Sequence, residues 1–271
     1  MGRGDRRNVR AVLVDLDDTI FDHSMTCRSA IAALRTEQPG LRRRPLQELW
    51  RLYLEMVNAD FPRTRAYTGR PGLTAGEVRR ARWAKIASVC GEQLSRAEAG
   101  RLASRYREHY ERLSRAVPGA PELLRRLHAE VPVVVVTNNE LAEQETKIRR
   151  LGVGAWIDGL VVSQAVGAAK PDRRIFEVAL AQAGAPAERA TMLGDSWESD
   201  IVGARGIGVH PVWFNRFDRA PGAGRAVPEL RSLRPTLAAR DLLLRRRAAR
   251  RTADARGRPE RVIAAGKLRR R

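Results

Sequence analysis

Asp15 and Asp17 stand two residues apart, with Thr19 two further on, in the segment VLVDLDDTIFD. Carboxylates this close repel each other, and just past an apolar strand they are tolerable where a cation neutralises them. Their hard oxygens suit Mg2+, which takes few protein ligands and retains waters. A second acidic pair, Asp195 and Asp200, occurs in GDSWESD. Between the two pairs lies Thr137-Asn138, a hydroxyl and backbone amides of the kind that hold a phosphate. Lys170, in GAAKPDRRIF, is a compact cation suited to neutralising phosphate and holding a carboxylate. It stands out because the chain has only four lysines against 47 arginines. Each element alone has an ordinary explanation as a polar turn, a helix N-cap or a solvated loop lysine.

The elements that must position these residues are legible as a pattern. VRAVLVDL (9–16), VPVVVVTNN (131–139), GLVVSQ (159–164) and ATMLGDS (190–196) are short apolar runs of the kind that form buried parallel strands. GVHPVWFN (208–215) is a weaker fifth, interrupted by Pro211 and so expected toward the sheet edge. Helical stretches separate them: 121–130, a segment ending at Gly152, 173–184 ending at Gly184, and 199–208. Pro171 is expected to open the third of these. This alternation predicts a doubly wound parallel α/β sheet. All four polar motifs then fall at strand ends that converge on one crevice.

From Phe21 to about Val117 the pattern changes to four or so helices, without another valine-rich run. Leu46, Leu49, Trp50, Tyr53, Leu54 and Val57 recur at helical spacing, which reads as core packing. The expected organisation is a catalytic core of residues 1–20 and 118–240, a helical insert of 21–117, and an arginine-rich, disordered tail of 241–271. Residues 240–271 hold 13 basic and 3 acidic residues, half of the net charge of +20. The arginine excess is read as codon bias. Cys27 and Cys90 are too few for a disulfide framework and read as reduced thiols. No apolar run approaches the roughly 18 to 20 residues of a membrane span, and the N-terminus does not read as a secretory signal. A cytoplasmic protein, monomeric or homodimeric, is expected.

The ordered set D-x-D-x-T, T-N, K-P and G-D-x-x-x-x-D closely resembles the signature of the haloacid dehalogenase-like hydrolases, over residues 9 to about 215. The block of about 100 residues after the first motif is similar to the subgroup with an inserted helical cap on a Rossmann-like core. VVVVTNN, VGAAKPDRRIFEVAL and MLGDSWESDIVGA are similar to segments of pyrimidine 5′-nucleotidases and N-acylneuraminate-9-phosphatase-like enzymes.

The resemblance implies that Asp15 is a nucleophile forming an aspartyl-phosphate and Asp17 the general acid and base. Thr137, Asn138 and Lys170 bind phosphate. Asp15, the backbone carbonyl of Asp17, and Asp195 hold Mg2+, with Asp200 behind them. The substrate is a small phosphorylated metabolite. His23, Phe61, Arg63, Arg65 and Tyr67 are candidate cap contacts that read more readily as ordinary surface or packing residues. Asp17 argues against a dehalogenase, since a halide leaving group needs no proton donor. Two rivals stand beside the phosphatase: a sugar phosphomutase with the same core, and a nucleic-acid-binding protein acting through the basic tail. The tail lacks aromatics for base stacking.

Overall fold

The computed structural model describes residues 9–60, 72–223 and 226–245. Six parallel strands, β1 (Ala11–Val14), β2 (Val133–Thr137), β3 (Gly159–Val162), β4 (Ala190–Gly194), β5 (His210–Phe214) and β6 (Glu229–Leu230), lie in the order β3-β2-β1-β4-β5-β6. Every residue of β1, β2 and β4 is buried. Both sheet faces are covered, so these strands have no polar side to show. Outward from β1 the chain first builds β2 and β3 on one side, then returns to place β4 on the other. This reversal puts a crevice at the carboxyl ends of β1 and β4.

Strand β6 escaped the sequence reading because two residues carry no period. It pairs only Trp213 and Phe214 of β5. Pro211, paired with Met192 on the β4 side, thus lies beyond β6, in the half of β5 that is a sheet edge on that side.

The chain leaves β1 through a tight turn in which Asp18 has φ 61°, a conformation that Asp tolerates better than most residues. Its carboxylate accepts from the Ser24 amide at 2.8 Å and the Ser24 hydroxyl at 2.5 Å, which caps the first helix. Among the described residues five helices follow: α1 (His23–Glu37), α2 (Pro39–Arg42), α3 (Leu46–Asp60), α4 (Ala75–Val89) and α5 (Arg96–Arg112). Thr74 with Glu77, and Ser95 with Glu98, form capping boxes that start α4 and α5. These helices bury a core of their own that includes Cys27, Leu34, Leu49, Tyr53, Trp83 and Tyr106. Leu49 and Tyr53 of the aromatic-aliphatic stripe face it, whereas Leu54 is exposed. The outgoing and returning chains pair at a neck: Phe21 bridges Ala116, and the Val117 amide donates to the Ile20 carbonyl at 2.9 Å.

Helices α6 (Ala120–His128), α7 (Leu141–Leu151), α8 (Ser163–Val166), α9 (Arg173–Ala183), α10 (Gly203–Gly206) and α11 (Thr236–Leu243) surround the sheet. Leu123, Leu127 and Leu243 pack on one face, and Ile175, Phe176 and Ala204 on the other. Gly152 and Gly184 end α7 and α9 at φ 65° and 59°, the left-handed turn where glycine is favoured. Pro171 does not open α9. Asp172 does so by accepting the Arg174 amide at 2.8 Å, because a capping carboxylate satisfies a donor that proline cannot. The tail boundary also shifts, since Leu243 and Leu244 are buried in the core and residues 241–245 belong to the fold. Residues 246–271 lie outside the described residues, as do Phe61, Arg63, Arg65 and Tyr67.

Candidate active site

Asp15 is the first residue beyond β1, its amide donating to the Leu193 carbonyl at 2.8 Å. Its carboxylate is buried beside Lys170, whose ammonium lies 2.6 Å from Asp15 Oδ1 and 2.6 Å from Asp200 Oδ1. Lys170 is placed by Asn138. That amide side chain donates to the Lys170 carbonyl at 2.9 Å and accepts from the Lys170 amide at 2.8 Å. Asn138 is thus a clip that ties the end of β2 to the Lys170 backbone.

Asp200 is fully buried in the wide helical turn Trp197–Val202 and accepts from the Ser196 amide at 3.0 Å. It packs directly on Gly194. A Cβ at Gly194 would stand 2.3 Å from the Asp200 carboxyl carbon, so glycine ends β4 because the carboxylate needs the space. Asp195, half-buried, accepts from Arg219 Nη1 at 3.1 Å, and its backbone carbonyl accepts from Trp213 Nε1 at 3.0 Å.

Oxygens of Asp15, Asp195 and Asp200 all lie within 4.8 Å of one another. Burial pushes Asp15 up to about 7, with Asp200 adding to the push and Lys170 opposing it. Burial and the Asp15 and Asp200 charges likewise raise Asp195 well above the usual carboxylate range. Burial alone would lower Lys170, but Asp15 and Asp200 hold it above the ordinary lysine value. One lysine and a rim arginine do not balance three carboxylates. The oxygen donor set and its excess negative charge therefore fit a divalent cation of the Mg2+ type. An oxygen of Asp200, expected behind the ligands, lies within this cluster that could hold a metal ion, whereas the Asp17 carboxylate is not part of it.

Asp17 turns instead toward α7. Lys147 Nζ lies 2.7 and 2.8 Å from its two oxygens, and Gln144 Nε2 donates to Asp17 at 3.1 Å and to Thr137 Oγ1 at 2.6 Å. Burial would raise Asp17, but Lys147 and His23 hold it below the usual carboxylate value. His23 Nδ1 is 3.7 Å from Asp17 and 2.8 Å from the Tyr110 hydroxyl, and its Nε2 is 3.5 Å from Cys27 Sγ. Burial works against the imidazolium, yet Cys27 and Asp17 push it up to about 10. The motifs thus converge as the sequence pattern requires. Lys147, Gln144 and Arg219 are additions. Lys147 carried the same signal as Lys170, a lysine that persists in an arginine-dominated chain.

A family model described as haloacid dehalogenase-like hydrolase matches residues 9–208, and the chain belongs to that family. It is 35% identical over 130 residues to pyrimidine 5′-nucleotidase YjjG of Escherichia coli, covering 48% of this chain and 58% of that one. The match to this relative therefore spans little more than half its length. Ribulose-1,5-bisphosphate 5-phosphatase of Halopiger xanaduensis is 28% identical over 228 residues, covering 81% of this chain and 91% of that one. The HAD-hydrolase YfnB of Bacillus subtilis, solved with magnesium bound, shares the fold with a TM-score of 0.70 at 23% identity, over 86% of this chain and 99% of that one. Among the described residues, no helix is long and apolar enough to cross a membrane.

Proposed function

We propose that the protein is a Mg2+-dependent phosphomonoesterase that hydrolyses small phosphorylated metabolites through an aspartyl-phosphate on Asp15. The observation that carries this reading is Lys170, which bridges Asp15 and Asp200 at 2.6 Å each beside Asp195. A buried carboxylate is presented for attack with a fixed cation at its side. Phosphoryl transfer asks chiefly for positioning and charge neutralisation, and this arrangement provides both. The relatives named as phosphatases and a nucleotidase support the same chemistry.

In this reading an Asp15 oxygen attacks phosphorus, and the ester oxygen departs with a proton supplied by Asp17, which takes that proton up against the hold of Lys147 and His23 once substrate is bound. Asp17 then takes a proton from the water that opens the acyl-phosphate. Lys170, the Thr137 hydroxyl and the Asn138 amide hold the phosphoryl oxygens. Asp15, Asp195 and the carbonyl of Asp17, with Asp200 beside them, would hold Mg2+, which neutralises phosphate charge when bound. Asp17 sets this site apart from that of a dehalogenase, whose halide leaves without a proton.

Phosphate release is measured over a panel of phosphomonoesters with Mg2+, with Asp15→Asn as control. Release by the parent and none by Asp15→Asn is expected. Equal release by both, or isomerised phosphosugar without free phosphate, overturns the reading.

A further inference from the structure

Asp17 is joined to the insert by a run of alternating charges. Lys147 Nζ holds both Asp17 oxygens, at 2.7 and 2.8 Å. One turn earlier on the same side of α7 stands Glu143. An acid four residues before a lysine is the favoured order for a helical ion pair. Glu143 in turn accepts from Arg79 of α4 and Arg107 of α5. Next to this run, the Ala75 amide at the start of α4 donates to Glu140 at the start of α7, at 2.9 Å. The insert therefore docks on the helix that clamps Asp17.

Each cation of the run has its carboxylate: Arg79 and Arg107 have Glu143, and Lys147 has Asp17. Lys147 is buried and the Glu143 side chain is 14% exposed, so solvent replaces a lost partner poorly. Burial pushes Glu143 up, and the charges of Arg79, Lys147 and Arg107 hold it below the ordinary carboxylate value. Lys147 thus lies in the field of two carboxylates, Asp17 and Glu143. With Arg79 and Arg107 in place, the insert satisfies Glu143 and the Lys147 ammonium stays on Asp17. With the insert parted, Glu143 loses both guanidinia and draws on the lysine one turn away.

Resting on the phosphatase reading, we propose that Glu143 is a positioning residue acting through Lys147, which it leaves to Asp17 only while Arg79 and Arg107 of the insert are docked. Asp17 is then oriented for proton transfer in the closed form, where water is excluded, and loses its clamp as the insert opens. The coupling runs through one contact with two arrangements, Lys147 on Asp17 alone or Lys147 shared with Glu143.

Phosphate release by the full chain with Mg2+ is measured on glycerol 3-phosphate, 2-phosphoglycolate, glucose 6-phosphate and uridine 5′-monophosphate, alkyl esters whose leaving oxygen needs a proton. Values of kcat and KM are taken on the ester released fastest. Arg79→Gln/Arg107→Gln is expected to lower kcat about tenfold, as misplacing a reacting group does, with a smaller change in KM. In the Lys147→Met background the same two substitutions are expected to change kcat by less than about twofold, because the residue they act through is gone. Adding Glu143→Gln to Arg79→Gln/Arg107→Gln is expected to restore most of the lost kcat, since no bare carboxylate then competes for Lys147. If Lys147→Met turns over too slowly to compare, this restoration decides. If Arg79→Gln/Arg107→Gln does not fold by circular dichroism, Arg79→Gln with and without Glu143→Gln gives the same comparison at smaller amplitude. An equal loss in the parent and Lys147→Met backgrounds, no restoration by Glu143→Gln, or a change in KM alone overturns the role of Glu143 and leaves the phosphatase reading standing. No phosphate release by the parent from these esters or from the wider panel overturns both.

Discussion

Two charged regions face each other across Asp17, and their charges are balanced differently. At the end of β1 and β4, three carboxylates gather, two of them on Lys170 and the third on Arg219 at the rim. In the seam between insert and core, Arg79, Arg107 and Arg150 hold Glu111 and Glu143, and Lys147 holds Asp17. Like charge costs stability wherever it is gathered and left unneutralised. The carboxylate cluster therefore fits an added cation, whereas the seam's cations already hold carboxylate partners. Asp17 stands between them, outside the carboxylate cluster and clamped by Lys147 from the seam side.

The largest test of the contrast is at its centre. Asp15→Asn is expected to lower kcat by at least about 1000-fold, because the nucleophile is gone, with the folded state retained by circular dichroism. Substantial residual turnover would move the attacking group elsewhere. Lys170→Met removes the only cation that the described structure places between Asp15 and Asp200. Leaving partners of a buried pair uncompensated costs about 3 to 5 kcal/mol, so chemical denaturation should show a loss on that scale as well as lost activity.

Lys147→Met frees the Asp17 carboxylate. A drop in kcat of roughly 10- to 100-fold is expected, since small misplacement of a reacting group carries penalties of that order. Unchanged kcat would make the clamp structural.

Asp195→Asn tests the crowding of the carboxylate cluster by its sign. Without metal, removing one of three crowded carboxylates relieves repulsion, so the melting temperature should equal or exceed that of the parent. Added Mg2+ should then raise it less than it raises the parent. A variant stabilised by Mg2+ as strongly as the parent removes Asp195 from the ligand set.

The smallest effect lies in the seam. Burial would raise Glu143, but Arg79, Lys147 and Arg107 hold it below its ordinary 4.5. A depressed carboxylate stabilises the fold above its unfolded value, and this contribution disappears as pH falls through the lower folded value. Glu143→Gln should therefore cost about 1 kcal/mol near pH 7, with the difference from the parent closing below about pH 4. A constant difference down to pH 3 would assign the effect to packing.

The sequence made one of these regions legible and not the other, for a physical reason. Asp15, Thr137, Lys170 and Asp195 follow apolar runs or sit at helix starts, so local pattern alone places them at one end of the sheet. Lys147 and Gln144 lie on the buried side of a helix whose repeat shows only that it packs. Their meeting with Asp17 spans 130 and 127 positions and becomes visible only once β1 and β2 are paired. The seam is harder still. In a chain with 47 arginines, no spacing marks Arg79, Arg107 and Arg150 as those that hold Glu111 and Glu143. Residues 241–245 were misplaced in the tail because the arginines around Leu242, Leu243 and Leu244 mask a short apolar segment that the sheet face buries.

The seam has a consequence for how the molecule behaves when it parts. Its named contacts are ionic: Arg79 and Arg107 to Glu143, Arg150 to Glu111, with the α4 N-terminus donating from Ala75 to Glu140 at 2.9 Å. The apolar clusters of insert and core meet, among the described residues, at Tyr110. Separating the two halves thus hydrates charges and uncovers little oily surface. These pairs are close and partly buried, so salt screens them less than it screens exposed charges.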